Sequence, residues 1–401
     1  MKDRFLLSET LVVLLAGGKG ERLYPLTRDR AKPAVPFGGI YRIIDFTLSN
    51  CLNTGLRKIV VLTQYKSISL ERHLKLAWNI FNYQLGEFIM SVPPQQRTSE
   101  LWYEGTADAV YQNIYTLDEV KPRFVLILSG DHIYQMNYLP MLRYHVRKNA
   151  DMTVGCIEVD QEDASRMGVL EINGEGRVMD FQEKPEKPKT LDRKKNKSLA
   201  SMGIYVFNTE KLVSEVITDK KDKRSKHDFG RNIIPHMLKR DKVYGYPVTS
   251  YWQDIGTIEA YFAANMELLK VKSRIDLHNR DNPVRTYQEQ LPGALVIKPS
   301  RNRDISVVNS VLSPGCVIRG ATVRESILSC AVSVGEDSVV ENGLIFDNVR
   351  IGKGCRIRNA IIDKGVSVPD NYRVGFDPKE DRGYFTVTES GLVVIPRGYQ
   401  L

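Results

Sequence analysis

Cysteine is scarce and unpatterned in this chain. Its five residues, Cys51, Cys156, Cys316, Cys330 and Cys355, are odd in number and show no CxxC spacing. A disulfide framework and a thiolate zinc site are both excluded, and the plain reading is small core residues in a reducing cytoplasm. No stretch approaches eighteen consecutive apolar residues, so no membrane span is expected. The six histidines show neither HExxH nor a comparable zinc spacing. Serine and cysteine nucleophile motifs are missing. Both common nucleotide fingerprints are missing too. Gly18-x-Gly20 is followed by Leu23 where a dinucleotide-binding turn needs glycine, and no Gly-Lys-Ser/Thr follows at P-loop spacing.

What remains is ordinary for a globular protein. At 401 residues, with 42% hydrophobic and 26% charged content, two domains are expected. The formal charge of +9 comes from dispersed basic residues with no nucleic-acid motif, which favours anionic small molecules over nucleic acid as partners. The N-terminal apolar segment lacks a small-residue cleavage site and reads as the first strand, not as a signal peptide.

That strand carries the first chemical signal. Leu11 to Leu15 is an apolar run suited to a buried parallel strand, and it flows into Ala16-Gly17-Gly18-Lys19-Gly20-Glu21-Arg22. Glycines let the backbone approach a ligand, bare amides cradle an anion, and Lys19 and Arg22 add charge. The bland alternative is a tight strand-to-helix turn. Strands at 58–63, 124–128 and 151–157, a hairpin at 168–181, and helices at 67–78, 108–120 and 259–269 extend the pattern. It describes an α/β fold with a Rossmann-like, mixed and mostly parallel sheet, whose ligand lies beyond the carboxyl ends of the strands. Residues 186–197 and 218–226 read as exposed charged loops.

The last third differs. Val311, Val317 and Val323 stand six apart, and Val339, Ile345, Ile351 and Ile357 repeat that interval among glycines and asparagines. A six-residue aliphatic period is the mark of a parallel β-helix of hexapeptide repeats. The two runs are out of phase, so a break is expected near 324–338. A small conventional β-domain is the alternative. The resulting partition is a catalytic domain at 1–270, a linker at 271–300 and a β-helix at 301–401.

Candidate site residues cluster after strands. Asp131, in Ser129-Gly130-Asp131-His132, is a hard-oxygen ligand of the type Mg²⁺ takes singly or in pairs; a helix N-cap is the competing reading. Asp254 suits the same role, or caps the helix that follows. Glu183 can accept hydrogen bonds from sugar hydroxyls, and Lys184 offers a point charge for phosphate; an exposed ion pair is the alternative. Arg28-Asp29-Arg30-Ala31-Lys32-Pro33 forms another phosphate-directed cluster, or a solvated basic loop. His132 beside Asp131 invites an acid–base reading; the preferred reading gives it no proton to carry.

Together the blocks spell a family. Leu15-Ala16-Gly17-Gly18-x-Gly20-x-Arg22-Leu23 and Lys32-Pro33-Ala34 resemble the sugar-phosphate nucleotidylyltransferases. Further blocks narrow the resemblance to the bacterial glucose-1-phosphate adenylyltransferases: Phe37 to Phe46, Trp102 to Ala109, Gly130 to Tyr134, Ser201 to Tyr205, His227 to Gly230 and Tyr251 to Thr257. The resemblance spans essentially the whole chain. It implies a C-terminal left-handed β-helix serving oligomerisation and regulation, a cytoplasmic homotetramer, and transfer of the adenylyl group of ATP to α-D-glucose 1-phosphate with Mg²⁺, for glycogen synthesis. It places Leu15, Ala16, Gly17, Gly18, Arg22, Gln95 and Gly105 at ATP. It places Arg22 and Lys32 on the triphosphate, Asp131 and Asp254 on the metal, and Tyr103, Gly168, Glu183, Lys184 and Ser201 at glucose 1-phosphate.

Two positions depart from well-regulated members. Asp29 stands where an activator-binding lysine is usual, and Glu119 where some members place an inhibitor-binding arginine. Arg30 and Arg42 remain for an anionic effector of altered selectivity. Three other readings stay open: a non-catalytic regulatory subunit, a uridylyl- or thymidylyltransferase, and a bifunctional acyltransferase. The intact acidic and basic set opposes the first. The lack of histidine beyond His278 opposes the last.

Overall fold

The computed structural model describes residues 2–95, 102–191, 196–298 and 306–401. The chain gathers into two compact units. One comprises Met1–Gly18, Phe46–Ser67 and Trp78–Trp252; the other comprises Lys19–Asp45, Ile68–Ala77 and Gln253–Leu401. Two N-terminal segments thus belong with the C-terminal half.

The first unit is built on a nine-stranded sheet. Its strands are β1 (Thr10–Leu15), β2 (Lys58–Leu62), β3 (Phe88–Val92), β4 (Phe124–Ser129), β5 (Met152–Asp160), β6 (Gly168–Ile172), β7 (Val178–Glu183), β8 (Lys197–Asn208) and β9 (Val243–Pro247). The order is β7-β6-β8-β4-β1-β2-β3, with β5 against β8 and β9 against β5. β1 lies between β4 and β2, parallel to both, with Leu14 opposite Leu128 and Val61. Leu11, Val12 and Leu14 are wholly buried. A strand covered on both faces needs an unbroken apolar run, which is why β1 does not alternate. β8 is antiparallel to β4, β5 and β6, β9 adds to β5 in parallel, and the predicted hairpin is β6–β7.

Three local expectations are corrected. The N-terminal apolar residues Phe5 to Leu7 lie in a helix, Lys2–Ser8, and the strand begins only at Thr10. The helix expected over 108–120 is two helices, Thr106–Tyr111 and Ile114–Val120. Between them the Asn113 amide donates to the Ala109 carbonyl at 2.8 Å and to the Tyr103 hydroxyl at 3.0 Å, a side-chain competition that ends the helix. The charged stretch at 218–226 begins inside a helix, Thr209–Lys221, where Asp219 holds Ser225 and His227. Part of the loop read over 186–197, residues 192–195, lies outside the described residues.

The second unit contains the β-helix. One parallel sheet stacks Leu295–Ile297, Val317–Arg319, Ser333–Val334, Arg350–Ile351 and Ser367–Val368. Another carries Thr322–Arg324, Val339–Ile345 and Arg356–Ile362, and ends on the antiparallel pair Thr386–Val387 and Val393–Ile395. Val323, Val340, Ile357 and Val374 stack inward and are buried. The ladder runs straight through the region where a break was expected. Val311 faces Ile327, sixteen residues on, and Val340 faces Ile357, seventeen on, so the coils are shorter than three full hexapeptides. Asn309, Glu325, Ala331, Asn342, Asn348, Asn359 and Asn371 take left-handed backbone and turn the corners in fewer residues.

Candidate active site

Within the first unit, β1 and β4 end side by side. Ala16 N–H donates to the Leu62 carbonyl at 2.9 Å, and Gly130 N–H to the Leu15 carbonyl at 3.0 Å. These bonds pin the Ala16-Gly17-Gly18 turn beside the loop that carries Asp131. A Cβ at Gly17 would stand 2.9 Å from the Gln64 side chain, whereas Gly18 faces open space. The turn is therefore packed on one side and bare on the other, as a backbone cradle requires. Ser129 Oγ donates to the Asp131 carboxylate, and the Thr47 hydroxyl holds the Ser129 carbonyl at 3.2 Å. Asp131 lies between two strands and caps no helix, which removes its competing reading. The His132 ring packs edge-on against Trp252 at 4.9 Å.

A second cluster surrounds the end of β7. The Glu183 carboxyl lies beside Gly168, its cross-strand partner, and against Gly230. Burial raises its pKa above the ordinary carboxylate range; Lys184 opposes the rise and Asp228 adds to it. Lys184 follows in left-handed backbone at φ 50°, its N–H donates to the Met167 carbonyl at 2.9 Å, and its Nζ stands 3.4 Å from Glu183. A non-glycine residue in that conformation is costly and marks a turn fixed by its surroundings. Ser201 and Tyr205 share a hydroxyl contact of 3.3 Å across a bulge in β8. The Tyr205 ring packs on Phe229 at 5.6 Å. Gly105 abuts the 226–227 backbone: a Cβ there would stand 2.3 Å from the His227 carbonyl oxygen. Gln95 is exposed, its amide bonded to Pro93 O at 3.0 Å. Its neighbours Gln96 and Arg97 lie outside the described residues.

The second unit brings Arg22, Lys32 and Asp254 together. Lys32 is buried, with Nζ 3.5 Å from Asp254 Oδ1. A Cβ built on Gly256 would lie 2.8 Å from Arg22 Nη2 and 3.1 Å from Asp254 Oδ2, so the guanidinium and the carboxylate meet over a bare glycine. The helix after Asp254 is capped by Thr257, which accepts from Ala260 N–H at 3.2 Å, so Asp254 is free of that duty. Lys19, by contrast, is exposed with Nζ 3.8 Å from Glu21. Arg30 binds both oxygens of buried Asp363 at 2.8 Å. Arg42 reaches Asp347 at 3.4 Å, and Lys364 reaches the same carboxylate at 2.5 Å. Burial and the Arg42 charge push Lys364 down to about 8. Burial opposes ionisation of Asp347 as well, but Lys364 and Arg42 together hold its carboxyl below the usual range. Asp29 is exposed and paired with Arg28 at 3.0 Å, and Glu119 is exposed.

Two family models divide the chain. Nucleotidyl transferase matches residues 11–271, and the GlmU-like C-terminal hexapeptide matches 292–395. Curated relatives named glucose-1-phosphate adenylyltransferase align over nearly all of it. The protein from Rhodopirellula baltica is 48% identical over 98% of this chain and 91% of its own length. That from Koribacter versatilis is 48% identical over 98% and 96%. The second such enzyme of Vibrio cholerae is 44% identical over 98% and 99%. The chain belongs to the glucose-1-phosphate adenylyltransferase family. It is a nucleotidyltransferase with a C-terminal hexapeptide β-helix.

Within that family the donor set can be tested for a metal. Among the described residues no three His, Cys, Asp or Glu side chains gather as a full ligand cage. Asp131 and Asp254 are both partly exposed carboxylates, at 32% and 22%. Partly exposed hard-oxygen donors of this kind fit Mg²⁺, which takes one or two carboxylates and leaves its other positions to phosphate and water. The His227-Asp228-Phe229-Gly230 block marks the family in sequence without revealing a role. The structure lays it against Gly105 and Glu183. The available signal was the block's own oddity, an acid and a glycine flanking an aromatic residue before a helix. Among the described residues no helix is long and apolar enough to cross a membrane.

Proposed function

We propose that this chain transfers the adenylyl group of ATP to α-D-glucose 1-phosphate, releasing ADP-glucose and pyrophosphate for glycogen synthesis. The observation that carries the reading is the end of β7. There a half-enclosed carboxyl, Glu183, stands beside a cation, Lys184, held in strained backbone. A hydrogen-bond acceptor for hydroxyls next to a phosphate-directed charge is the chemistry that recognises a sugar phosphate. Gly168, which borders the Glu183 carboxyl, and Ser201 and Tyr103 complete the assigned set.

The nucleotide is assigned to Leu15, Ala16, Gly17 and Gly18 through backbone, and to Gln95 and Gly105 near the base. Arg22 and Lys32 neutralise the triphosphate and the departing pyrophosphate. Asp131 and Asp254 are the carboxylates assigned to Mg²⁺, which when bound supplies further neutralisation of phosphate charge. The attacking sugar-phosphate oxygen is already ionised, so the protein's task is alignment for in-line displacement at the α-phosphorus. His132, packed against Trp252, is not needed as a base.

Pyrophosphate release from ATP and glucose 1-phosphate, compared with UTP and dTTP, tests the reading. Asp131→Asn is expected to lose about a thousandfold in kcat/KM, roughly 4 kcal/mol of transition-state stabilisation. An Asp131→Asn protein as fast as the native one sinks the metal assignment.

Arg30 and Arg42 are the proposed anion-effector residues, in the β-helix-bearing unit and in cytoplasmic homotetramers. Arg42 and Lys364 share the single carboxylate of Asp347, and two cations on one anion support a surplus of positive charge there. Asp29 makes a sugar-bisphosphate activator a poor fit. A panel of phosphorylated metabolites in the rate assay checks this; a rate indifferent to every one, unchanged by Arg42→Ala, refutes it. The partition at 1–270, 271–300 and 301–401 is offered as the division of labour between catalysis, linker and assembly.

A further inference from the structure

Position 230 is where the Glu183 carboxyl rests. A Cβ built there would stand 2.3 Å from Glu183 Oε2 and 2.9 Å from its Cδ, well inside contact distance. Gly230 is the second residue of a π-helical turn, Phe229–Ile233, whose N-cap Asp228 accepts from Arg231 N–H at 3.0 Å. Asp228 also accepts from the Thr106 hydroxyl at 3.1 Å, so the turn's first residues are tied down on both sides. π turns are rare and recur at functional sites. On the other side a Cβ at Gly168 would stand 3.0 Å from the same Glu183 oxygen. The carboxyl therefore occupies a slot between two bare backbones.

We infer that Gly230 is a specificity-determining residue: its missing side chain admits the Glu183 carboxyl to this slot and so fixes where its oxygens meet the sugar hydroxyls. The inference rests on the glucose 1-phosphate reading of Glu183. Gly230 does not lie in left-handed backbone, so alanine suits its conformation. The atoms that a methyl would strike belong to the far end of a flexible side chain. At Gly105 the obstacle is a backbone carbonyl and at Gly168 the Phe181 ring, so those positions resist substitution for reasons of fold. At Gly230 the carboxyl gives way and the turn stays. Gly230 thus acts on the sugar through Glu183.

Gly230→Ala should raise the KM for glucose 1-phosphate about tenfold or more while moving the KM for ATP less than about twofold, and should weaken discrimination against galactose 1-phosphate. Glu183→Gln is the reference variant. Because Gly230 works through Glu183, the double variant should be no worse for sugar than Glu183→Gln alone. Additive losses, or an unchanged sugar KM in Gly230→Ala, overturn the inference. Should Gly230→Ala fail to fold, Gly230→Ala with Glu183→Asp decides, because the shorter acid vacates the slot. A double variant that still fails to fold overturns the inference, and one that folds supports it. A Glu183→Gln protein with native sugar KM overturns the sugar reading itself. Loss of sugar affinity in Glu183→Gln but not in Gly230→Ala overturns the role of Gly230 alone.

Discussion

Glu183 holds a carboxyl where burial disfavours its charge. Its folded pKa is raised, so the folded chain binds more protons than the unfolded chain at pH values just above the ordinary carboxylate range. Stability tied to this group is therefore fully present in acid and is lost as pH rises through the folded value. Removing the charge should reverse the sign. Glu183→Gln is expected to melt higher than the native chain at pH 7, with the gap closing toward pH 4, while it loses about tenfold or more in sugar KM. Melting curves at the two pH values check the first half. A variant less stable at pH 7 than at pH 4, relative to the native chain, contradicts the burial argument. Gain of stability with loss of binding is what a carboxyl kept for substrate predicts, since nothing in the fold alone requires it.

Elements explain what the sequence could and could not reveal. β1 was legible because a parallel strand buried on both faces has no choice but a continuous apolar run, and Leu11 to Leu15 provides one. The β-helix was legible because each face of a coil points an aliphatic residue inward about five or six residues after the last, as Ile318, Val323 and Leu328 do. Its register was not. Sixteen- and seventeen-residue coils depend on which corner residues enter left-handed backbone, and asparagine, glutamate and alanine all do so here. Among these only asparagine advertises that tendency. The split near Asn113 was hidden for a related reason: a single side-chain amide, donating to the Ala109 carbonyl and the Tyr103 hydroxyl, decides where the helix stops. In the site, Asp131 and Lys184 were readable as residue types after strands. The seat of Glu183 was not, because it is made by absent atoms at Gly168 and Gly230, brought to it by a hairpin and by a turn far along the chain.

At the scale of the molecule, the grouping of segments bears on whether residues 1–270 can stand alone. Lys19–Asp45 belongs to the same compact unit as the β-helix, and it carries Arg22 and Lys32. Its Arg30 is buried against both oxygens of Asp363, its Arg42 reaches Asp347, and Gly39 abuts Ser313, with a built Cβ 2.6 Å from the hydroxyl. All three partners lie beyond residue 300. Deleting them strands a buried guanidinium, and breaking a buried pair from one side costs about 3–5 kcal/mol. The segment that positions the two triphosphate-directed cations then loses its anchors. A protein ending at residue 270 should therefore keep the nine-stranded sheet of the first unit but lose about a thousandfold or more in ADP-glucose formation, with the KM for ATP rising before that for glucose 1-phosphate. Sugar recognition should survive better because Glu183, Lys184 and Gly230 all belong to the first unit. Circular dichroism and steady-state kinetics on the shortened chain distinguish the outcomes. Turnover within about tenfold of the full chain would mean that residues 1–270 form an autonomous catalytic domain and that the β-helix does not hold Arg22 and Lys32 in place.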